Sequence, residues 1–298
     1  MTETSVATRR TPALSPPAPR GSAGRNRRLL YWVATHAVAI ALALMFLAPL
    51  VFMFLTAVMS SNETLGGGLW PRSWHWGNFA TALTTDHGVM LHWLLNTLIY
   101  AVLATAFMLI SSLPVAYALA RFRFRGRKVA FVLVITTMML PPQVTIVPMY
   151  IMWARFHLTG TLWPLIIPML FGDAFSIFLL RQFLVTIPKE YADAARVDGC
   201  GEFRTMMRVI LPMARPAIAA VALFQFFYAW NDYFGPLIYT KPDSWTLAVG
   251  LSTFRAAHHV EWNLTMAATL LTVLPVIIVF FLAQRVFIQG VTLTGVKG

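Results

Sequence analysis

Three sets of residues in this chain are of types that do chemistry. The first is the run Glu190, Tyr191, Ala192, Asp193, Ala194, Ala195, Arg196, Val197, Asp198 and Gly199, which continues to Val209-Ile210-Leu211-Pro212. It sets acids, alanines and a glycine between two long apolar stretches. The second is the polar residues inside apolar stretches: Asp173, Asn231 and Asp232, the last two flanked by Trp230 and Tyr233, with Asn96 and Gln225 as weaker members. Such groups are costly in lipid and must face protein or water. The third is the histidines, which are scattered and offer no convergent acid–base set. His258, His259 and Glu261 are close in sequence but fit no metal-ligand spacing, so no metal is expected. The single Cys200 excludes an intramolecular disulfide and a cysteine metal cluster.

The elements that carry these residues are membrane helices. The chain has 298 residues, of which 58% are hydrophobic and 11% charged, and its mean hydropathy is +0.68. A soluble domain is nearer a quarter charged, so the composition is that of a polytopic membrane protein. Six apolar segments are each long enough to cross a hydrocarbon core of about 30 Å. They run over residues 29–59, 93–120, 129–154, 158–180, 217–239 and 264–283. Helix is the expected conformation, because backbone groups in lipid must be satisfied within the segment. Residues 1–28 are rich in Pro, Ser, Ala and Arg and are expected to form a disordered basic tail. Residues 29–298 are expected to form a six-helix transmembrane domain, with its core at about 92–286. Pro114, Pro141, Pro142, Pro148, Pro164, Pro168 and Pro275 interrupt the spans and favour kinks.

Charge sets the orientation. All but four of the 23 Lys and Arg residues fall in the N-terminal tail, at 121–128, at 181–215 and near the C-terminus. The exceptions are Arg72, Arg155, Lys241 and Arg255. The positive-inside rule puts both termini and the insert at 188–212 in the cytoplasm. The net charge of +12 therefore reflects topology and contact with anionic lipid, and nucleic acid is not an expected partner. On the other side, residues 60–91 and 240–262 are expected to be loops, with Trp70, Trp74 and Trp76 as interfacial anchors.

The insert has the marks of a helix–turn–helix. Pro188 suits a first turn, and Glu190 and Asp193 follow where the helix dipole favours negative charge. Tyr191, Ala194, Ala195 and Asp198 have the spacing of one face, and the alanines would let another backbone come close. Gly199 and Gly201 are expected to end this helix. A second short helix follows from about residue 202 to 210, before Pro212 and Pro216 lead into the fifth span. Such a unit suits docking into a groove on a partner. A plain amphipathic link lying on the membrane is the other reading of these residues.

Asp193-Ala194-Ala195, three residues, Gly199, nine residues and Val209-Ile210-Leu211-Pro212 resemble the EAA motif of ABC importer permeases, with Asp193 in place of Glu and Val209 in place of Ile. Further resemblance lies in Leu95-Asn96-Thr97, in residues 117–122, in Leu179-Leu180-Arg181-Gln182-Phe183, in Trp230-Asn231-Asp232 and in the terminal Gly295-Val296-Lys297-Gly298. Together these are similar to the maltose-type sugar permeases, in particular the six-helix member of the usual pair. The resemblance implies an all-α, type I ABC importer permease fold with a cytoplasmic coupling helix, in the bacterial cytoplasmic membrane. It implies four partners: a second permease subunit, two cytoplasmic ABC ATPases and an external solute-binding protein. The implied cargo is a sugar or related solute.

The chain itself has no G-x-x-x-x-G-K-[ST] run, so no cofactor is expected on it, and ATP with Mg belongs to the ATPases. The residues implied to couple to an ATPase are Glu190, Asp193, Ala194, Ala195, Asp198, Gly199, Leu211 and Pro212. Asp173, Trp230, Asn231, Asp232 and Tyr233 are the pathway candidates, and Asn96 and Gln225 are expected to make structural hydrogen bonds between helices. An ion-coupled secondary carrier is the alternative. It predicts internal repeats or paired intramembrane charges, and the chain has neither.

Overall fold

The computed structural model describes residues 22–257 and 261–294, which contain helices and no strand. The chain divides into two compact units, Met1–Phe52 and Met53–Gly298.

The first unit contributes most of α1 (Ser22–Ala57). The helix therefore begins seven residues inside the segment expected to be a disordered tail. Its side chains are exposed from Arg28 to Phe52. A predominantly apolar helix surface of this length is stable only against lipid or another protein.

In the second unit, α2 (Ser61–Leu65) and α3 (Gly77–Arg121) come first. Glu63 closes a capping box on Ser60, whose N–H donates to Glu63 Oε2 at 3.1 Å. The stretch 60–91, expected to be an outer loop, is thus helical over 61–65 and from 77 onward, with a loop at 66–76 between. Next are α4 (Arg127–Met138) and α5 (Pro142–Arg155). The expected continuous third span is bent by 92° between them. Pro141 and Pro142 supply no N–H for the helix ladder, so the chain turns where the sequence places them. The fourth span starts with α6 (Trp163–Ile166), tightens to a 3-10 turn over Ile167–Phe171 and resumes as α7 (Ala174–Thr186). Then α8 (Glu190–Val197), α9 (Glu202–Thr205), a π-helical turn over Met206–Ile210 and α10 (Leu211–Met213) form the polar insert. The last elements are α11 (Arg215–Asn231), α12 (Phe234–Tyr239), α13 (Leu247–Ala257) and α14 (Trp262–Thr294). Among the described residues, four helices or helix runs are long and apolar enough to span a membrane alone, and the number is six if each of two bent pairs is one span.

The centre of this unit is α3, which packs against α7, α11 and α14. One buried cluster gathers Trp93, Tyr100, Trp153, Trp230, Leu247 and Ala268. A second gathers Met108, Tyr117, Leu180, Leu184, Ile210 and Val221, and it extends into the insert through Ala192, Met206 and Ala214. The insert is therefore built on the same core as the spans.

The expected outer loop at 240–262 is mostly folded, as a 3-10 turn over Pro242–Ser244 followed by α13. Asn96 Nδ2 donates to the carbonyls of Asp243 and Trp245 at 3.2 and 3.0 Å, and the Leu247 N–H donates to Thr97 Oγ1 at 2.8 Å. The structural role expected for Asn96 is the one observed, while residues 258–260, which include His258 and His259, lie outside the described residues. At Gly250 an added Cβ would stand 2.1 Å from Trp93 Cδ2, within a packed ring. Overpacking of this kind costs about 1–3 kcal/mol. Gly250→Ala is expected to lower the thermal unfolding midpoint of the detergent-purified protein by several degrees. An unchanged midpoint would show that α13 does not press on Trp93 as described.

Candidate functional site

Two features could carry function: the platform formed by the polar insert and a largely apolar cavity with a few polar groups at the end of α11.

The platform starts at Lys189, whose carbonyl accepts from the N–H groups of Ala192 and Asp193 at 2.9 and 3.0 Å. Eight residues later the helix ends in a Schellman arrangement. The Gly199 N–H donates to the Arg196 carbonyl at 3.0 Å, and the Cys200 N–H donates to the Ala195 carbonyl at 2.9 Å. Gly199 holds φ at +76°, and nothing lies within 4 Å of where its Cβ would be. The glycine is thus required by the backbone and not by crowding. Leu211 and Pro212 form the one turn between the π-helical segment and α11. Proline at the second position of that turn is placed where its missing N–H costs nothing.

The two short helices are tied by Arg196. Its Nη1 donates to Asp193 Oδ1 at 2.7 Å and its Nε to Glu202 Oε1 at 2.7 Å. Glu202 Oε2 also accepts from the Tyr117 hydroxyl at 3.3 Å, which joins α9 to α3. The bond to Glu202 raises the Arg196 pKa further above its usual value, so the guanidinium stays charged. All three side chains are partly solvated, and such pairs are worth about 1 kcal/mol or less each. They set direction more than stability. Arg121 adds a bond from Nη2 to the Ile187 carbonyl at 2.9 Å, and Arg181 Nε donates to the Leu119 carbonyl at 3.3 Å.

The faces of α8 differ from the expected ones in one respect. Ala192 and Ala195 turn inward, at 3% and 7% exposure. Tyr191, Asp193, Ala194, Val197 and Asp198 are exposed, as is Glu190, and Val197 reaches 89%. Ala195 therefore packs on its own chain, and the free surface is centred on Tyr191, Ala194 and Val197. An apolar side chain as open as Val197, beside small residues, marks a surface that a partner would cover.

The second feature is a cavity of about 810 Å³ lined by α3, α5, α6, α11 and α12. Asn231, Asp232 and Tyr233 line it, together with Tyr100, Gln143, Tyr228 and Tyr239, which sequence reasoning missed. Tyr100 and Tyr228 are hydroxyls in otherwise apolar spans, and Gln143 follows the Pro141-Pro142 break; those were the available signals. Asp232 ends α11 and starts the next turn. Its Oδ1 accepts from the Gly235 N–H at 3.1 Å and its Oδ2 from the Tyr100 hydroxyl at 3.0 Å. The expected continuous fifth span is broken at this point. Asn231 Nδ2 donates to the Phe227 carbonyl at 2.8 Å, one turn back along the helix.

Two pathway candidates lie elsewhere. Trp230 is buried in the core, where Nε1 donates to the Thr272 carbonyl at 3.3 Å. Asp173 caps α7 after the left-handed Gly172, and its Oδ2 accepts from the Ser176 N–H at 2.7 Å. Gln225 is largely buried and contacts Met169 Sδ at 3.5 Å.

An insert packed on the same core as the spans, an exposed small-residue face and a cavity where a few polar groups converge between bent helices are the parts of a coupled transporter. Residues 112–293 match the family described as binding-protein-dependent transport system inner membrane component. The chain belongs to that family. It is similar to the arabinooligosaccharides transport system permease protein AraQ of Bacillus subtilis, at 31% identity over 90% of this chain and 97% of the relative. The sn-glycerol-3-phosphate transport system permease protein UgpE of Pectobacterium atrosepticum is 34% identical over 89% of this chain and 97% of its own length. In fold, the permease is similar to a chain of a bacterial ABC transporter that imports the acidic polysaccharide alginate. The TM-score is 0.77 at 24% identity, over 91% of this chain and 99% of that one. The protein is thus a multi-pass inner membrane permease subunit of an ABC importer, a transport component whose family leaves ATP hydrolysis to separate ATPase subunits. Nothing observed favours the ion-coupled alternative.

Proposed function

We propose that this permease forms part of the pathway for a sugar or closely related polar solute, received from an external solute-binding protein, and that it works beside a second permease. The cavity around Asp232 carries this reading. It offers hydroxyl, amide and carboxylate groups beside aromatic rings, and a polyhydroxyl solute is held by hydrogen bonds and by ring contacts with its apolar faces. The relatives support the class, since one is a permease for arabinooligosaccharides and others serve diacetylchitobiose uptake. ATP with Mg²⁺ is bound on two cytoplasmic ATPases. Closure of that pair moves α8, and the shared core passes the motion to α3, α7 and α11. The spans then tilt as bodies, so that the cavity opens alternately to each side.

Uptake of labelled sugar into cells carrying the complete transporter tests this function. Uptake should require this chain, should stop when the ATPase subunits are depleted, and should survive a protonophore that leaves ATP intact. Uptake that follows the proton gradient instead would overturn the reading.

Both termini and the platform lie on the cytoplasmic side in this account. The single Cys200, partly exposed beside Gly199, reports it directly. A membrane-impermeant maleimide should leave Cys200 unlabelled in spheroplasts and label it in inverted vesicles stripped of peripheral subunits. Labelling in intact spheroplasts would reverse the topology.

A further inference from the structure

We propose that a second, basic cavity behind α8 holds a phosphate group at the membrane boundary. The cavity has a volume of about 670 Å³ and lies among the end of α3, the start of α4, the end of α7 and α8. It is lined by Arg121, Arg123, Arg127, Arg181, Lys189 and Arg196. It also contains two acids, Asp193 and Glu202, and Arg196 engages both. These are the ion pairs among the described residues, so the other five cations face the space with no carboxylate within pairing distance.

The guanidinium groups are held in place by groups other than carboxylates. Arg181 Nε donates to the Leu119 carbonyl at 3.3 Å, and its guanidinium carbon stands 3.9 Å from the centre of the Phe131 ring. Its two terminal amino groups remain free to bind a ligand. Arg127 Nη1 donates to the Phe122 carbonyl at 3.1 Å. Arg121 gives Nη2 to the Ile187 carbonyl, while its Nε is buried with no hydrogen-bond partner. A buried charged donor left unpaired is costly, and five like charges around one space repel each other. An anion in the space relieves that repulsion. Arginine in particular presents planar pairs of N–H groups that match phosphate oxygens.

The position favours a lipid headgroup as the source. Arg121 closes the span Gly88–Arg121, and the span Trp163–Thr186 ends at the same cavity wall through Val185. Headgroup phosphates stand at this depth, and anionic lipids are drawn to clustered Lys and Arg. A soluble phosphate compound presents the same group. Either occupant would brace the back of α8 against the ends of α3 and α7. The proposal does not depend on what the transporter carries, so its test needs no uptake assay.

The full chain, purified in neutral detergent, is reconstituted in nanodiscs of phosphatidylcholine with or without phosphatidylglycerol. Its unfolding midpoint is measured, and retained lipid is counted by native mass spectrometry. Inorganic phosphate is titrated separately against chloride at matched ionic strength. The variant pair R123Q with K189Q changes two exposed lining residues. R125Q changes an exposed arginine outside the cavity and serves as the control.

Phosphatidylglycerol should raise the midpoint of the wild type and of R125Q, with lipid retained, and most of the rise should vanish in the double variant. A rise with inorganic phosphate that the double variant loses would support the same site with a soluble occupant. The proposal fails if neither phosphate source stabilises the wild type beyond the double variant. It also fails if R125Q loses as much as the double variant does, because the effect would then be general surface charge.

Discussion

Replacing Ala194 with tryptophan is expected to reduce ATP-driven uptake by about tenfold or more, equivalent to roughly 1.4 kcal/mol or more of lost docking energy. The amount of protein inserted in the membrane should not change. The residue is exposed on α8 with Tyr191 and Val197. A small residue there permits close backbone approach, and an indole would hold the partner off. The neighbouring alanines provide the contrast. Ala192 and Ala195 are buried on the core side, so a large residue at either should lower folding stability first. Gly199→Val should produce the same loss of uptake by another route. The left-handed φ of +76° is strained for a β-branched residue, and relief of that strain would re-aim α9. Uptake and ATPase co-purification, measured on the same membranes, separate these cases. Normal uptake in Ala194→Trp would remove α8 from the docking surface.

The second large effect is expected at Asp232. Alanine there removes the acceptor of both the Tyr100 hydroxyl and the Gly235 N–H. Hydrogen bonds to a charged group are worth about 1.5–3 kcal/mol each, and the break between α11 and α12 depends on the cap. Uptake should fall about tenfold or more, through loss of the cavity's shape as well as of a ligand group. Asp232→Asn keeps an acceptor for the cap and a polar group facing Tyr100, so it should be milder than alanine. Replacements larger than Asp at this position are expected to be worse still. An added Cβ at Gly235 would already lie 2.7 Å from Asp232 Oδ2, so this corner has no spare room. Equal uptake in the wild type and in Asp232→Ala would show that the cavity is not on the route.

Several of these features were legible in the residues before the fold was known. Apolar length located the spans, Gly199 located the end of α8, and the run to Pro212 outlined the platform. Asn96 was readable as a structural donor because an amide in a span must find a carbonyl, though not which one. Other features depend on tertiary partners. Pro141-Pro142 announces a kink, but not that the angle between α4 and α5 reaches 92°. Trp230 belongs to the core and not to the cavity because its Nε1 finds the Thr272 carbonyl. Ala195 and Ala194 have the same side chain, and only the packing of α9 and the π-helical turn against α8 decides which one is covered. At 11 residues, α13 is too short to be recognised as a span and looked like loop. The resemblance of residues 117–122 and 179–183 to importer permeases acquires a physical content here. Tyr117 ties the platform to α3 through Glu202, Arg121 ties the end of α3 to the Ile187 carbonyl just ahead of it, and Arg181 ties α7 to α3.

The central claim is that the exposed face of α8 meets an ATPase. A photocrosslinking amino acid placed at position 194, in membranes containing the whole transporter, tests it most directly, with position 221 as a buried reference. The account predicts a covalent adduct at 194 whose partner, identified by mass, is an ATP-binding subunit. Its yield should change when ATP is added, and position 221 should give none. An adduct at 194 with lipid alone, or none in membranes that retain the ATPases, would contradict the account.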